Sequence, residues 1–402
     1  MRKGKLRQLK KSKVVKFSIG LFLFLCLCFR GVVYYSDSHS NVSAPVDLTI
    51  SERVPIEYNA RIFMVGDALI HSSIYQDAKQ SDGSYDFRSM LEHIKPIASK
   101  YDLKYYNQET ILGGASLGYS NYPRFNSPQE VGDAFVDAGF NMVSLATNHT
   151  MDKGEVGVIN SVNYWKSKEN VVFSGQWTSS EERELAEIHE INGIKYAFFS
   201  YTTWTNGLNT PRGKEYLNNV YSNEKAKADI EKVKDKVDII IVAMHWGNEY
   251  SHGVSSSQTD IANYLSSLGV NLIIGAHPHV VEPVEYINDG KTFVIYSLGN
   301  FISDQIGIEK LTGLMMEVTV KKVVDVDDSV TVSIENPKAE LIYTKAYNSR
   351  NRDFKVYPYP QLNNNLLPNY MNYYEKYKEI VSSRYQNLVW GVTGEWLYGN
   401  FK

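Results

Sequence analysis

The stretch "NLIIGAHPHVVEPV", residues 271 to 284, decides the architecture. Leu272-Ile273-Ile274 is the apolar run of a buried strand, and it stops at Gly275. Two imidazoles follow, His277 and His279, with Pro278 between them. Pro278 has no N–H to give a sheet ladder, so the strand has ended by that point. The histidines therefore sit on a loop just beyond a strand end. Other runs end in the same way. "IFMVG" is followed by Asp67, "LKYYN" supplies Asn107 and then Glu109, "MVSLATNH" ends in Asn148 and His149, and "DIIIVAMHW" reaches His245. In open α/β sheets, ligands gather beyond the carboxyl ends of strands. Five strand ends of this kind would bring a set of oxygen and nitrogen donors to one rim.

The rest of the pattern supports such a sheet. "RIFMVG" and "LKYYN" read as strands with a helical segment "FRSMLEHIKPIASKYD" between them, kinked near Pro96. "SPQEVGDAFVDAG" reads as a helix with Ser127 as N-cap, Pro128 at the first position, Glu130 closing a capping box and Gly139 ending it. "NMVSLA", a helix from about Glu155 to Lys168, the strand "YAFFSY", a charged helix over 222–236, "VDIIIVAMHW", the helix "SSQTDIANYLSSLG" and "VNLIIGA" continue the alternation. Alternating strands and helices predict an α/β layer fold with mixed sheets. From Lys291 onward "KTFVIYSLGNFI", "GLMMEVTVKKV", "SVTVSIENP" and "AELIYTKAY" are strands without helices, expected to form an antiparallel part of the same sandwich. The tyrosine-rich segment after 350 reads as an extension that ends in a helix and docks on the core.

The chain has 402 residues, 43% of them hydrophobic, enough for a large core. Its net charge of −3 is uneven. Arg2, Lys3, Lys5, Arg7, Lys10, Lys11, Lys13 and Lys16 precede any acid, and the remainder is strongly acidic, which argues against nucleic acid as a partner. Residues 17–35 form an apolar segment interrupted at Arg30. Val42-Ser43-Ala44 is a poor cleavage site before Pro45, and bulky Leu25 and Leu27 precede the cysteines, so no lipobox is evident. The segment reads as a retained anchor. No Lys or Arg falls between Gly31 and Glu52, which places the N-terminus in the cytoplasm and the main domain outside the cell membrane in a single-pass topology. The expected layout is a basic tail over 1–16, a transmembrane anchor over 17–35, a linker over 36–59, a domain over 60–349 and an extension over 350–402. Cys26 and Cys28, the only cysteines, lie in the apolar segment, so the body offers metals only oxygen and nitrogen.

Mixed carboxylate, amide and imidazole donors suit Mn²⁺, Fe or Zn²⁺. The groups exceed one tetrahedral shell, and Glu109 can bridge, so two divalent ions are expected.

The blocks "GDALIH", "NQET", "SLATNHTMDKGEVG", "AMHWGNEY", "GAHPHVVEPVE" and "YSLGNFISDQ" resemble the CapA family, the capsule-synthesis proteins of bacterial poly-γ-glutamate systems, itself similar to calcineurin-like metallophosphoesterases. The resemblance covers roughly residues 60 to 345. It implies a four-layer α/β/β/α sandwich with a metal-type pocket at the strand ends. It implies Asp67, Glu109, Asn148, His245, His277 and His279 as metal ligands, with Asn107 beside Glu109 in the second motif. It also implies His149 as the imidazole that protonates a leaving oxygen. Asp152, the acid nearest His149, is grouped with it as catalytic and also reads as a side chain that holds its neighbours. Leu69 stands where the phosphoesterase pattern has a histidine, and Thr150 where it has a carboxylate. The expected role is support of the synthesis, export or retention of an anionic capsule polymer, beside membrane-bound polymer synthetase subunits. Two other readings stay open: a cell-surface phosphoesterase acting on a phosphoester in wall or lipid intermediates, and a non-catalytic synthetase subunit.

Overall fold

In the computed structural model, residues 53–345 and 353–391 are described. The expected anchor and basic tail lie outside them. Among the described residues no helix is long and apolar enough to cross a membrane. The strands in chain order are β1 (Ile56–Ala68), β2 (Leu103–Asn107), β3 (Met142–Ser144), β4 (Val172–Ser174), β5 (His189–Ile191), β6 (Ile194–Thr202), β7 (Ile239–His245), β8 (Leu272–Ala276), β9 (Val284–Ile287), β10 (Thr292–Ile295), β11 (Asn300–Ile302), β12 (Thr312–Val324), β13 (Val330–Lys345), β14 (Lys355–Pro358) and β15 (Val389–Trp390). They make two mixed sheets. One has the order β14-β13-β12-β1-β2-β3-β4, with β11 beside β1 and β15 beside β13; the other has the order β5-β6-β7-β8-β10-β9.

Period-two alternation explains how the sheets pack. Ile62 and Met64 of β1 join Ile241 of β7 and Ile274 of β8 in one apolar cluster between the sheets. Phe63 and Val65 point the other way, onto Phe135 of the helix Glu130–Asp137 and Trp165 of the helix Gly154–Lys166. On the far face of the second sheet, Val242 and Ile273 meet Ile230 of the helix Asn223–Glu231 and Leu265 of the helix Ser256–Ser267. The tail docks on the core as expected: Tyr377 and Val381 of the helix Tyr370–Ser382 belong to the cluster between the sheets.

Several local expectations are corrected. No capping box forms at Ser127. The helix starts at Glu130 with Gln129 as N-cap, because the Ser127 hydroxyl is drawn to Thr110 Oγ1 at 2.8 Å. The capping box is instead at Ser255 and Gln258. The segment around Pro96 is a short 3₁₀ turn, Arg88–Leu91, and a separate helical turn, Lys95–Ala98, in place of one kinked helix. "SVTVSIENP" and "AELIYTKAY" are one strand, β13. Asn336 at φ +52° and Pro337 mark the place where the ladder to β12 slips between Glu317 and Thr319. β1 begins at Ile56, inside the stretch read as linker, because Ile56 to Ala60 pair with Val324 to Val320 of β12. β14 and β15 both pair with β13, so the extension adds strands to the first sheet.

Two positions give stability predictions. At Gly275, an added Cβ would stand 1.8 Å from the Tyr296 carbonyl oxygen, a backbone atom that cannot rotate away. Gly275→Ala should therefore cost about 1–3 kcal/mol or more of stability, read by denaturant titration; an unchanged midpoint would refute this close approach. Glu340 is fully buried in β13, and burial pushes its carboxyl up to about 8. Its folded pKa lies above the unfolded one, so the folded state holds the proton more tightly. The stability this gives is present at low pH and is lost as pH rises toward 8, at up to about 1.4 kcal/mol per unit. Glu340→Gln should flatten that fall, and melting curves from pH 5 to 9 would show it. Parallel curves for the two proteins would count against the buried acid.

Candidate metal centre

The two sheets bring their carboxyl ends together. In the first sheet Asp67 of β1 stands opposite Asn107 of β2, and in the second sheet Thr202, His245 and Ala276 share one row. The chain thus ends β1, β2, β3, β7 and β8 at a common rim, as the sequence pattern predicted.

Asp67, Glu109, His245 and His279 are almost wholly buried, with His277 beside them. Three groupings of donor atoms, each within 4.8 Å, can hold a metal: Glu109, His245 and His277; Asp67, Glu109 and His279; and Glu249, His277 and His279. Around His245 Nε2 stand Asn148 Oδ1 at 3.0 Å, His277 Nδ1 at 3.1 Å and Glu109 Oε1 at 3.8 Å. One imidazole proton can satisfy one of these neighbours and no more. Both carboxylate oxygens of Glu109 are buried without a hydrogen-bond partner, and the His279 Nε2 that faces one of them is 3.6 Å away. A buried carboxylate left in this state is expensive. A cation would satisfy these lone pairs together, so the donor set fits the divalent metal that the sequence implied.

The electrostatics agree. Burial, with help from neighbouring His277 and His279, pushes His245 well below its ordinary value, and burial lowers His277 to about 3. Both rings are neutral at pH 7, the form that ligates metals. Burial also acts to lower His279, but Glu109 and Asp67 outweigh it and raise the ring to about 9. Glu109 is driven well above the usual carboxylate range by burial first and by Asp67 among its neighbours.

The surrounding groups set the pose of these donors. Asn300 Oδ1 lies 3.0 Å from His279 Nδ1 and turns Nε2 toward Glu109. The backbone N–H of His277 donates to Asp67 Oδ2 at 3.2 Å. Asn107, expected as a ligand, spends its amide inside the protein: Nδ2 donates to Asp67 Oδ1 at 2.8 Å and Oδ1 accepts from Ser144 Oγ at 2.5 Å. The structure places it as the group that orients Asp67. His149 stands apart from the carboxylate and imidazole groupings. Its Nδ1 lies 2.7 Å from Asp152 Oδ2, which also accepts the Phe125 N–H at 2.7 Å. Its Nε2 lies 3.5 Å from Asn206 Nδ2, and Asn206 Oδ1 accepts from Asn148 Nδ2 at 3.3 Å. Asn206 therefore ties the two neighbours Asn148 and His149 together from the loop after β6. Sequence reasoning missed Asn206, Asn300 and Glu249. Asn300 and Glu249 lie inside motif blocks already noted, whereas Asn206 sits in a loop with no periodic signal.

A cavity of about 450 Å³ opens on this rim, with His71, Phe125, His149, Asn206, Glu249 and His279 among its walls. The exposed rings of Tyr122, Trp204 and Tyr250 also line it.

The family described as "Bacterial capsule synthesis protein PGA_cap" matches residues 61–305. The chain belongs to this family. All the groups discussed as ligands, together with His149 and Asp152, fall inside the matched segment. Among its relatives, "Capsule biosynthesis protein CapA" of Bacillus anthracis is 26% identical over 251 residues, 60% of this chain and 59% of the relative. "PGA biosynthesis protein CapA" of Bacillus subtilis is 29% identical over 176 residues, 42% of this chain and 44% of the relative. The chain thus spans about half the length of these relatives. The solved structure of the calcineurin-like phosphoesterase YfkN from Bacillus subtilis is similar at a TM-score of 0.42 and 16% identity, covering 70% of this chain and 91% of that one. A likeness at that level carries no weight for the chemistry of this site.

Proposed function

We propose that this is a membrane-anchored, extracytoplasmic CapA-type protein that supports the synthesis, export or retention of an anionic capsule polymer of the poly-γ-glutamate kind, through a metal-dependent hydrolase-like site. The observation that carries the reading is Glu109. A carboxylate buried without a hydrogen bond, beside the His245 and His277 rings that burial holds neutral, inside the family segment, is a costly arrangement for a protein that only needs a scaffold. Asp67, Glu109, Asn148, His245, His277 and His279 would hold the ions. A bound divalent pair would supply Lewis acidity at a phosphoester or amide oxygen.

The protein's own groups supply the rest. Asp152 and the Phe125 N–H fix one another, and Asp152 fixes the His149 ring through Nδ1. Nε2 is left on the cavity side, beside Asn206, where a protonated ring presents a proton to a leaving oxygen. Asp152 thus acts as a positioning residue. The membrane reading rests on the basic tail and the apolar segment 17–35, and a domain tethered outside would stand beside membrane-bound synthetase subunits that make the polymer.

Cells carrying His149→Ala together with Asp67→Ala, at normal protein level, should lose most capsule output. Full output from that variant would show that the site is not the working part. Protease added to intact protoplasts should remove the domain, and a protected domain would overturn the topology.

A further inference from the structure

We propose that Glu249 is the entrance ligand for the divalent cation: with His277 and His279 it takes the ion at the mouth of the cavity and hands it to the buried donors. The inference rests on the metal reading of the site given above.

The sharing of donors carries it. The grouping of Glu109, His245 and His277 and the grouping of Asp67, Glu109 and His279 have only Glu109 in common. Neither Glu109 oxygen has a hydrogen-bond partner, and the His245 and His279 rings both face Oε1, at 3.8 and 3.6 Å, so the carboxylate has lone pairs to bridge the two sets and both can be filled at once. The grouping around Glu249 borrows His277 from the first and His279 from the second. A neutral imidazole has a single lone pair for a metal, so each of these histidines serves one ion at a time. Glu249 therefore cannot hold a further ion while both inner sets are full. What it shares with each inner set is one ligand, which is the arrangement needed to pass an ion inward.

Burial gives the direction. Asp67, Glu109 and His245 are sealed from solvent, whereas Glu249 is exposed and lines the cavity next to His279. A hydrated cation loses water reluctantly, so a first carboxylate that leaves most of its waters in place eases entry to a dry shell.

The backbone holds Glu249 in this place. The Tyr250 N–H donates to the Pro278 carbonyl at 2.8 Å, which ties the loop after β7 to the His-Pro-His turn. Tyr250, His277 and His279 are non-glycine residues at φ +65°, +97° and +59°. Left-handed backbone at three bulky residues around one carboxylate persists only when the surroundings impose it.

The test uses the full chain stripped by chelator, with cobalt(II) as the probe followed by its absorption. At limiting cobalt, Glu249→Gln should take up the ion about tenfold more slowly than wild type and release it to excess chelator more slowly by the same factor, with the final metal content unchanged. Glu249 is exposed, and matched melting curves for the stripped proteins check that the variant folds. Equal rates in the two proteins would overturn the proposal. So would a lower final content in Glu249→Gln, which would make Glu249 a resident ligand. No uptake by wild type would overturn the metal reading itself, and the entrance ligand with it.

Discussion

Chelation is expected to lower the melting temperature of the wild-type chain by several degrees and to leave Glu109→Gln nearly unmoved. Mass action sets the size: an ion held at a hundred times its dissociation constant adds about 2.7 kcal/mol to the folded state. Glu109 is the residue to change because two of the donor groupings share it and neither of its oxygens has a hydrogen-bond partner. Gln keeps the shape and removes the charge, so it loses the ligand that offsets cation charge at both positions while filling the same space. His277→Ala combined with His279→Ala should also remove the response, since those rings enter all three groupings between them. Thermal melting with and without chelator gives the answer. Equal drops in wild type and Glu109→Gln would mean that the ion binds elsewhere, or that chelation acts without it.

His149→Ala and Asp67→Ala are expected to fail in different ways. His149 stands outside the three groupings and is held by Asp152 at 2.7 Å. Its loss should leave metal content intact and reduce turnover of a generic phosphodiester by about 10² to 10⁴-fold, the usual worth of a positioned proton donor. Asp67 lies at the centre: its Oδ2 takes the backbone N–H of His277 at 3.2 Å and stands 3.5 Å from His279 Nδ1. Removing it should lose metal and activity together. Asp152→Asn should resemble His149→Ala in a milder form, because the ring keeps its place and loses its fixed orientation. If wild type turns over no ester and capsule output survives His149→Ala, the protein works as a scaffold.

Much of the site was legible because strand ends are simple to read. An apolar run that stops at a glycine or a proline, followed by His, Asp or Asn, states where the side chain must leave the sheet. Asp67, Glu109, His245, His277 and His279 follow from that logic, and the structure brings their donor atoms within reach of one another. What sequence spacing could not give was how each polar side chain is used. Asn107 has the type and position of a ligand, yet Ser144 and Asp67 absorb its amide, and Ser144 read as an ordinary strand residue. Ser127 had the local chemistry of a cap, and Thr110, distant from that helix in the pattern, drew it away. Asn206 comes from an Asn-Gly turn in which the Leu208 N–H donates to the Thr205 carbonyl at 2.8 Å; that pair of residues announces a turn but not what the turn faces. The start of β1 was hidden for a related reason: Glu57, Tyr58 and Asn59 show a single apolar side chain and no alternating run, and it takes pairing with β12 and the packing of the Tyr58 ring on the core to make them strand.

The most direct test is the metal content of the full chain purified without chelator, measured by mass spectrometry beside His277→Ala. The account predicts bound divalent metal at one to two equivalents in wild type, and much less in the variant, with both proteins folded. Metal-free wild type, or equal occupancy in the two, would contradict it.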